Sequence, residues 1–145
     1  MAWSEQWQEN WGTVSPAGAV RVELGRSAAN RRRASRTVRE LQAGTPIVVC
    51  VRGPGAMRRC RRFASGAGIE LDREYLAFPS VRSPAYLVEA APAPVHFFIE
   101  TVLVTPPRMR CAGLIEACVT AVRSLSPQRL IRLLAPGRIV VGSRI

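Results

Sequence analysis

The sequence of 145 residues contains no lysine, so all 21 of its basic residues are arginine, and it has only 10 acidic residues. It has a single aspartate, Asp72, and a single histidine, His96. Nucleophilic catalysis pairs a serine or cysteine with a base, most often histidine. His96 lies in the apolar segment Val95–Ile99, where a structural role is the commoner one for histidine. We therefore assign no catalytic residue and lean against an enzyme.

Closely spaced metal ligands are also missing. The four cysteines form no C-x-x-C pair; they are Cys50, Cys60, Cys111 and Cys118. A structural zinc site needs four cysteine or histidine ligands, usually in close pairs. The sequence therefore predicts no metal and no cofactor, and four reduced thiols.

Long apolar runs and targeting signals are absent as well. No run reaches the length of about 18 apolar residues that spans a bilayer, so no transmembrane segment is predicted. The first ten residues lack the basic and apolar regions of a secretory signal. An arginine-only composition rich in alanine, glycine and proline indicates a GC-rich bacterial genome. We expect a cytoplasmic bacterial protein.

The chain is long enough for one domain with its own core, and 48% of its residues are apolar. Trp3, Trp7 and Trp11 are spaced four residues apart and would form one stripe on a helix. We therefore divide the chain into a Trp-bearing arm, 1–26, and an α/β domain, 27–145. The stripe either covers the protein's own core or docks on a partner chain, and its three tryptophans are candidate partner-binding residues.

Periodicity predicts alternating helices and strands after the arm. The predicted helices are 27–43, 56–66, 94–104 and 110–125, and the predicted strands are 46–52, 69–78, 85–89 and 138–141. The strands 69–78 and 85–89 form an antiparallel hairpin in this prediction. The fold class is α/β, a small mixed sheet with an antiparallel C-terminal hairpin flanked by helices. A ferredoxin-like β-α-β-β-α-β sheet is the alternative.

The basic residues are concentrated in one part of the chain. Residues 26–62 hold 11 arginines and one acid, a net +10, whereas the rest holds 10 arginines and nine acids, a net +1. Arg32, Arg36 and Arg39 share one face of the helix 27–43 and are candidate partner-binding residues. Such a block suits a solvated surface, an acidic partner subunit or nucleic acid.

Nucleic-acid binding by a ferredoxin-like domain is one alternative function. RNA-recognition domains of this topology stack bases on aromatic side chains of the third strand. The nearest match to their motif is Arg82–Glu89, where only Tyr86 fills one of three aromatic positions. Aromatic residues make up only 6% of the chain, which provides few stacking surfaces.

A second alternative is a small enzyme that binds a phosphate-bearing substrate. The turn Gly53-Pro-Gly55 joins a predicted strand to the start of a helix, where free backbone N–H groups favour anions. The candidate anion-binding residues at this turn are Arg52, Gly53, Gly55, Arg58, Arg59 and Arg62. Three nearby carboxylates, Glu70, Asp72 and Glu74, alternate along the strand 69–78. We expect them to share a solvent-exposed face rather than to hold Mg²⁺.

Part of the chain resembles a known family. The segments AGIELDREYLAFPS (67–80) and PAYLVE (84–89) resemble the hairpin of some bacterial class I S-adenosylmethionine-dependent methyltransferases, and Ile47–Arg52 is similar to the strand before it. In the C-terminal half of that family the sheet ends in such a hairpin. The resemblance covers 27–89 and leaves out the half that holds the cofactor, so no functional residue is carried over.

The resemblance implies a non-catalytic or partner-dependent accessory protein that acts through protein–protein contacts. A sheet edge left without its neighbour would pair with another chain, so we expect a protein partner or a homo-oligomer. The order of strands in the sheet distinguishes the methyltransferase-like fold from the ferredoxin-like fold. The methyltransferase-like sheet places 46–52 beside the 69–89 hairpin, whereas the ferredoxin-like one places 46–52 and 138–141 in one four-stranded sheet.

Overall fold

The computed structural model describes residues 11–53, 55–82, 84–102, 117, 120 and 135–145. The described strands are β1 (Val20–Leu24), β2 (Pro46–Arg52), β3 (Ile69–Pro79), β4 (Pro84–Glu89) and β5 (Gly137–Arg144). The described helices are α1 (Ala28–Arg39), α2 (Ala56–Ala67) and α3 (Pro92–Thr101), with a further helical turn at 11–14. None of these helices is long and apolar enough to cross a membrane. The predicted helix 110–125 lies outside the described residues.

The five strands form one mixed sheet in the order β1-β2-β5-β3-β4. β1 and β2 are parallel, whereas β2–β5, β5–β3 and β3–β4 are antiparallel. The predicted fold class, a mixed α/β sheet with an antiparallel hairpin flanked by helices, is confirmed. The ferredoxin-like alternative is wrong, because the sheet has a fifth strand and β5 separates β2 from β3.

β5 is central because both of its faces are apolar. Val140 faces the α1–α2 side of the sheet, while Ile139 and Val141 face the opposite side, and all three are buried. This placement also corrects the methyltransferase-like expectation, in which β2 lies directly beside the hairpin. In the structure β5 lies between them.

One face of the sheet is covered by helices. α1 and α2 pack their buried residues, among them Val38 and Phe63, against Val49 and Val140. α3 packs against Leu76 and Val88 of the hairpin. Leu76 lies opposite Arg138, and alternation along β5 places Arg138 on the same face as Val140. α3 therefore covers the same face of the sheet as α1 and α2.

The opposite face carries a third apolar cluster that includes Val48, Cys50 and Ile139, with Trp11 packed against it. Trp11 therefore covers the protein's own core, which is one of the two roles considered for the tryptophan stripe. Trp3 and Trp7 lie outside the described residues.

β1 is the strand that the sequence analysis did not predict. It lies within 1–26, so part of the segment assigned to an arm belongs to the sheet. Val20, Val22 and Leu24 alternate with two charged residues, which is the period-two pattern of a strand with one exposed face. Assigning this stretch to the Trp-bearing arm leaves that pattern unused.

α1 begins as predicted and ends earlier than predicted. The Ser27 hydroxyl accepts a hydrogen bond from the Asn30 N–H at 3.2 Å and caps the helix. The helix ends at Arg39 rather than near residue 43. Gly44 lies beyond the helix, in the turn to β2, with φ +80°.

Candidate functional site

The parallel strands β1 and β2 end together at one side of the sheet, with Leu24 opposite Val51. In open α/β sheets, ligands bind outside the carboxyl ends of parallel strands. An open cleft of about 590 Å³ lies there and is lined by the successive residues 21–26, so it follows the outer edge of β1. α1 forms one wall, and the end of β2 with the β3–β4 loop forms the other. We call this cleft the β1 groove.

Arginine dominates the lining of the β1 groove. Its charged lining residues are Arg21, Arg26, Arg33, Arg52, Arg82 and Glu23. Five positive charges and one negative charge leave a net +4. A concave surface of one sign raises the local concentration of oppositely charged ligands. The groove therefore attracts anions.

Among the described lining residues, Glu23 is the only carboxylate, and it is shared between two arginines. Its Oε1 lies 3.6 Å from Arg21 Nη2, and its Oε2 lies 3.6 Å from Arg52 Nη2. These side chains are 41–54% exposed, and exposed ion pairs of this kind each contribute less than about 1 kcal/mol. Both arginines can therefore exchange Glu23 for an incoming anion at little cost.

Arg21 is held in place by an aromatic ring. Its guanidinium carbon lies 4.2 Å from the centre of the Trp11 ring, which is a cation–π distance. Trp11 thus orients one groove arginine while it packs on the sheet.

Two glycines allow close approaches at this end of the sheet: Gly53 lies against Arg26 of the loop after β1, and Gly25 lies against Asn30 of α1. Gly53 has φ +73°, and a Cβ added there would lie 2.7 Å from Arg26 Nη2. A Cβ added at Gly25 would lie 2.4 Å from Asn30 Nδ2. Arg31 Nη1 also donates to the Arg26 carbonyl oxygen at 2.6 Å. Because of these contacts, Arg26 lies over the Gly53 turn.

The structure divides the predicted anion-binding residues among several places. Arg52 and Gly53 line the β1 groove. Gly55 caps α2 with φ +68°, and Arg59 Nη2 donates to the Arg52 carbonyl oxygen. Arg59 and Arg62 line a second depression, between α1 and α2, with Arg31. Arg58 is exposed on α2.

The other predicted surface is on the outside of α1. Arg32, Arg36 and Arg39 line one shallow groove together with Arg31 and Glu40, so they do share a face. The sequence analysis did not select Arg21, Arg26, Arg33 or Arg82. Arg26 and Arg33 lie within the basic block, which could have indicated them, whereas Arg21 and Arg82 reach the groove only through the fold.

The two described cysteines are poor nucleophiles. Both are buried and free of disulfides. Burial raises the pKa of the Cys50 thiol to about 11 and that of the Cys60 thiol to about 12. Because the thiolate is the reactive form, both are inert at neutral pH.

The single histidine pairs with a neighbour on its own helix. His96 Nε2 lies 3.2 Å from Glu100 Oε1, one helical turn away, and both side chains are 59% exposed. This places His96 on the solvent side of α3.

The three carboxylates of β3 do not share a face, which corrects the sequence analysis. A β-bulge between Leu71 and Arg73 shifts the register by one residue. Glu70 lies opposite Ser143 and Glu74 opposite Val140, so the two point to opposite faces. Glu74 instead pairs with Arg138. Among the described residues, no group of three acidic, cysteine or histidine side chains could hold a metal ion.

Tyr86 is half exposed on β4 and lies edge-on to Phe98 of α3, with 5.6 Å between ring centres. It lies on the helix-covered face of the sheet, where Phe98 also stacks on Phe78 at 5.0 Å. The side chain is therefore part of an aromatic cluster on that face.

Comparison of this chain with family models, curated proteins and solved structures found no match.

Proposed function

We propose that this chain is a partner-dependent accessory protein, derived from the C-terminal half of a class I methyltransferase, that acts through protein–protein contacts. The outer edge of β1 carries the proposal. Among the described residues β1 pairs only with β2, so its other edge offers unpaired N–H and C=O groups along the β1 groove. An unpaired strand edge is a template for pairing with another chain, and in this proposal a partner chain supplies the missing neighbour.

The fold and the thiols support this assignment. The antiparallel hairpin of β3 and β4 is the feature that supports a relation to the methyltransferases, although β5 lies between this hairpin and β2. Among the described residues, the Cys50 and Cys60 thiols are unreactive, and His96 pairs with Glu100 on the solvent side of its helix. Free cysteines suit a reducing cytoplasm, and the arginine-only composition suits a bacterial source.

We expect the lone purified chain to show no saturable binding of S-adenosylmethionine by isothermal titration calorimetry. We also expect the chain purified from its host to form a stoichiometric complex, measured by native mass spectrometry. A monomeric chain that binds S-adenosylmethionine with a Kd of about 1–10 µM would contradict the proposal.

A second candidate function is the binding of a phosphate-bearing small molecule, favoured by the Gly53 turn. This turn lies at the carboxyl end of β2 with Arg26 over it and Arg52 beside it. Arginine suits phosphate because its planar fork donates two parallel hydrogen bonds.

If this second function is correct, inorganic pyrophosphate should bind the lone chain, and Arg52→Ala should weaken its affinity about tenfold by removing a charge-assisted contact. Arg61→Ala removes the same charge from the exposed side of α2 and is the control. Equal affinities of the two variants, measured by titration calorimetry at low salt, would exclude the Gly53 turn as the site.

A further inference from the structure

The two edges of the sheet differ in how they are protected. β4 begins at Pro84, and proline at an edge removes a hydrogen-bond donor and discourages pairing. β1 has neither proline nor a bulge: its register with β2 is continuous from Val20 to Leu24. It also lies along the β1 groove, which is lined by its residues 21–24. Among the described residues, β1 is therefore the edge that is open to another strand.

The positive charge of the β1 groove indicates what kind of strand binds there. The lining of the β1 groove has a net +4, with Arg33 on the α1 wall and Arg52 and Arg82 on the other. We propose that the β1 groove binds an extended acidic strand of a partner protein by β-augmentation. This inference rests on the proposed function and names the chemistry of the partner. In β-augmentation the main-chain hydrogen bonds supply affinity and the alternate side chains supply specificity.

The two faces of β1 predict the pattern of the partner strand. Val22 and Leu24 are 4% and 3% exposed and face the α1–α2 core. Arg21 and Glu23 face the other side, beside Arg52. An added strand continues both faces of the sheet. Its apolar residues therefore lie next to Val22, and its acidic residues lie next to Arg21 and Arg52.

A second copy of this chain is less suited to the β1 groove than an acidic strand. Pairing β1 with itself would join two grooves that each carry a net +4 in chains that each carry +11. Like charges brought together in one interface oppose association. An acidic strand instead neutralises the groove.

The probe is a fluorescein-labelled heptapeptide of alternating glutamate and valine, titrated against the full chain by fluorescence anisotropy. We expect saturable binding that weakens with added salt. The same heptapeptide with lysine in place of glutamate should not bind. A fully N-methylated glutamate–valine peptide keeps the charge but has no N–H donors, so it should also fail to bind. Equal binding of the N-methylated peptide, or no binding of the first peptide, would overturn the proposal.

A pair of matched variants locates the site. Arg33→Glu with Arg52→Glu reverses one charge on each wall and should weaken peptide binding about tenfold or more. Arg58→Glu with Arg61→Glu changes the net charge equally on the exposed side of α2 and should weaken it less than about twofold. Circular dichroism verifies folding of both. Equal losses of peptide affinity in the two variants would overturn the proposal. A wild-type chain whose β1 edge is already paired in a dimer would also overturn it, and sedimentation and hydrogen exchange measure this.

The two proposals fail separately. One outcome is that the peptide binds but the chain purified from its host carries no partner. Strand binding by the β1 groove is then supported, and the proposed accessory function is contradicted. The other outcome is that the complex from the host still forms with the Arg33→Glu, Arg52→Glu variant. The accessory function is then supported, but the β1 groove is not the surface that binds the partner.

Discussion

Replacing Gly142 with alanine is expected to lower the free energy of unfolding by about 3 kcal/mol, since overpacking a well-packed site costs about 1–3 kcal/mol. Gly142 lies in the central strand β5, opposite Ile47 on one side and Leu71 on the other. An added Cβ would lie 2.0 Å from the Glu70 carbonyl oxygen and 3.0 Å from its carbon. These are backbone atoms of the adjacent strand, so relief requires the two strands to separate.

The free energy is measured by urea unfolding, and thermal unfolding should show a fall in Tm of about 9 °C for a chain of this size, both followed by circular dichroism. Gly66→Ala is the control, because a Cβ there has no atom within 4 Å and the residue is exposed in α2. It should stabilise the protein by about 0.5 kcal/mol through higher helix propensity. A Gly142→Ala variant as stable as the wild type would show that β3 and β5 do not approach this closely.

Removing the carboxylate of Glu74 is expected to cost about 2 kcal/mol, because breaking a partly buried ion pair leaves its other charge without that partner. Arg138 Nη1 donates to Glu74 Oε1 between the neighbouring strands β5 and β3. The two side chains are only 12% and 19% exposed. Glu74→Ala thus leaves a desolvated guanidinium without its carboxylate.

A double-mutant cycle built from Glu74→Leu alone, Arg138→Met alone and the two together separates the pair from the packing around it. Glu74→Leu with Arg138→Met removes both charges and should recover most of the loss, because apolar replacement of a buried pair is often neutral or stabilising. Glu23→Gln is the exposed counterpart and should cost less than about 1 kcal/mol. If Glu74→Ala costs no more than Glu23→Gln in urea unfolding, the Glu74–Arg138 pair contributes nothing to stability.

Several elements could be predicted from local sequence because their signals are local. The β-branched run 46–52 and the helix between Gly55 and Gly68 have the predicted starts, and the helix ends one residue later than predicted. The strand 138–141 was predicted too short: β5 continues to Arg144. Residues 142–144 have weak strand propensity, and pairing with both β2 and β3 holds them extended.

The candidate site was harder to predict. The basic block 26–62 correctly indicated an arginine-rich surface, but the anion-binding residues chosen there lie in separate places. The groove instead combines Arg21, from a strand taken for part of an arm, with Arg82, from the β3–β4 loop. No local pattern relates these two positions, because they meet only when the strands assemble. The bulge at Asp72 is equally invisible in the sequence, and it separates Glu70 from Glu74.

The sequence by itself determined most of the described helices and strands, though not β1, together with the α/β class and the concentration of positive charge in about a quarter of the chain. Backbone propensity and side-chain periodicity act over a few neighbouring residues, so they can be recognised in the local sequence. The tertiary structure alone decided that β5 lies between β2 and β3, that β1 is an open edge and that five arginines line one groove. Those outcomes depend on pairing between strands far apart along the chain, and burial of both faces of β5 selects that pairing.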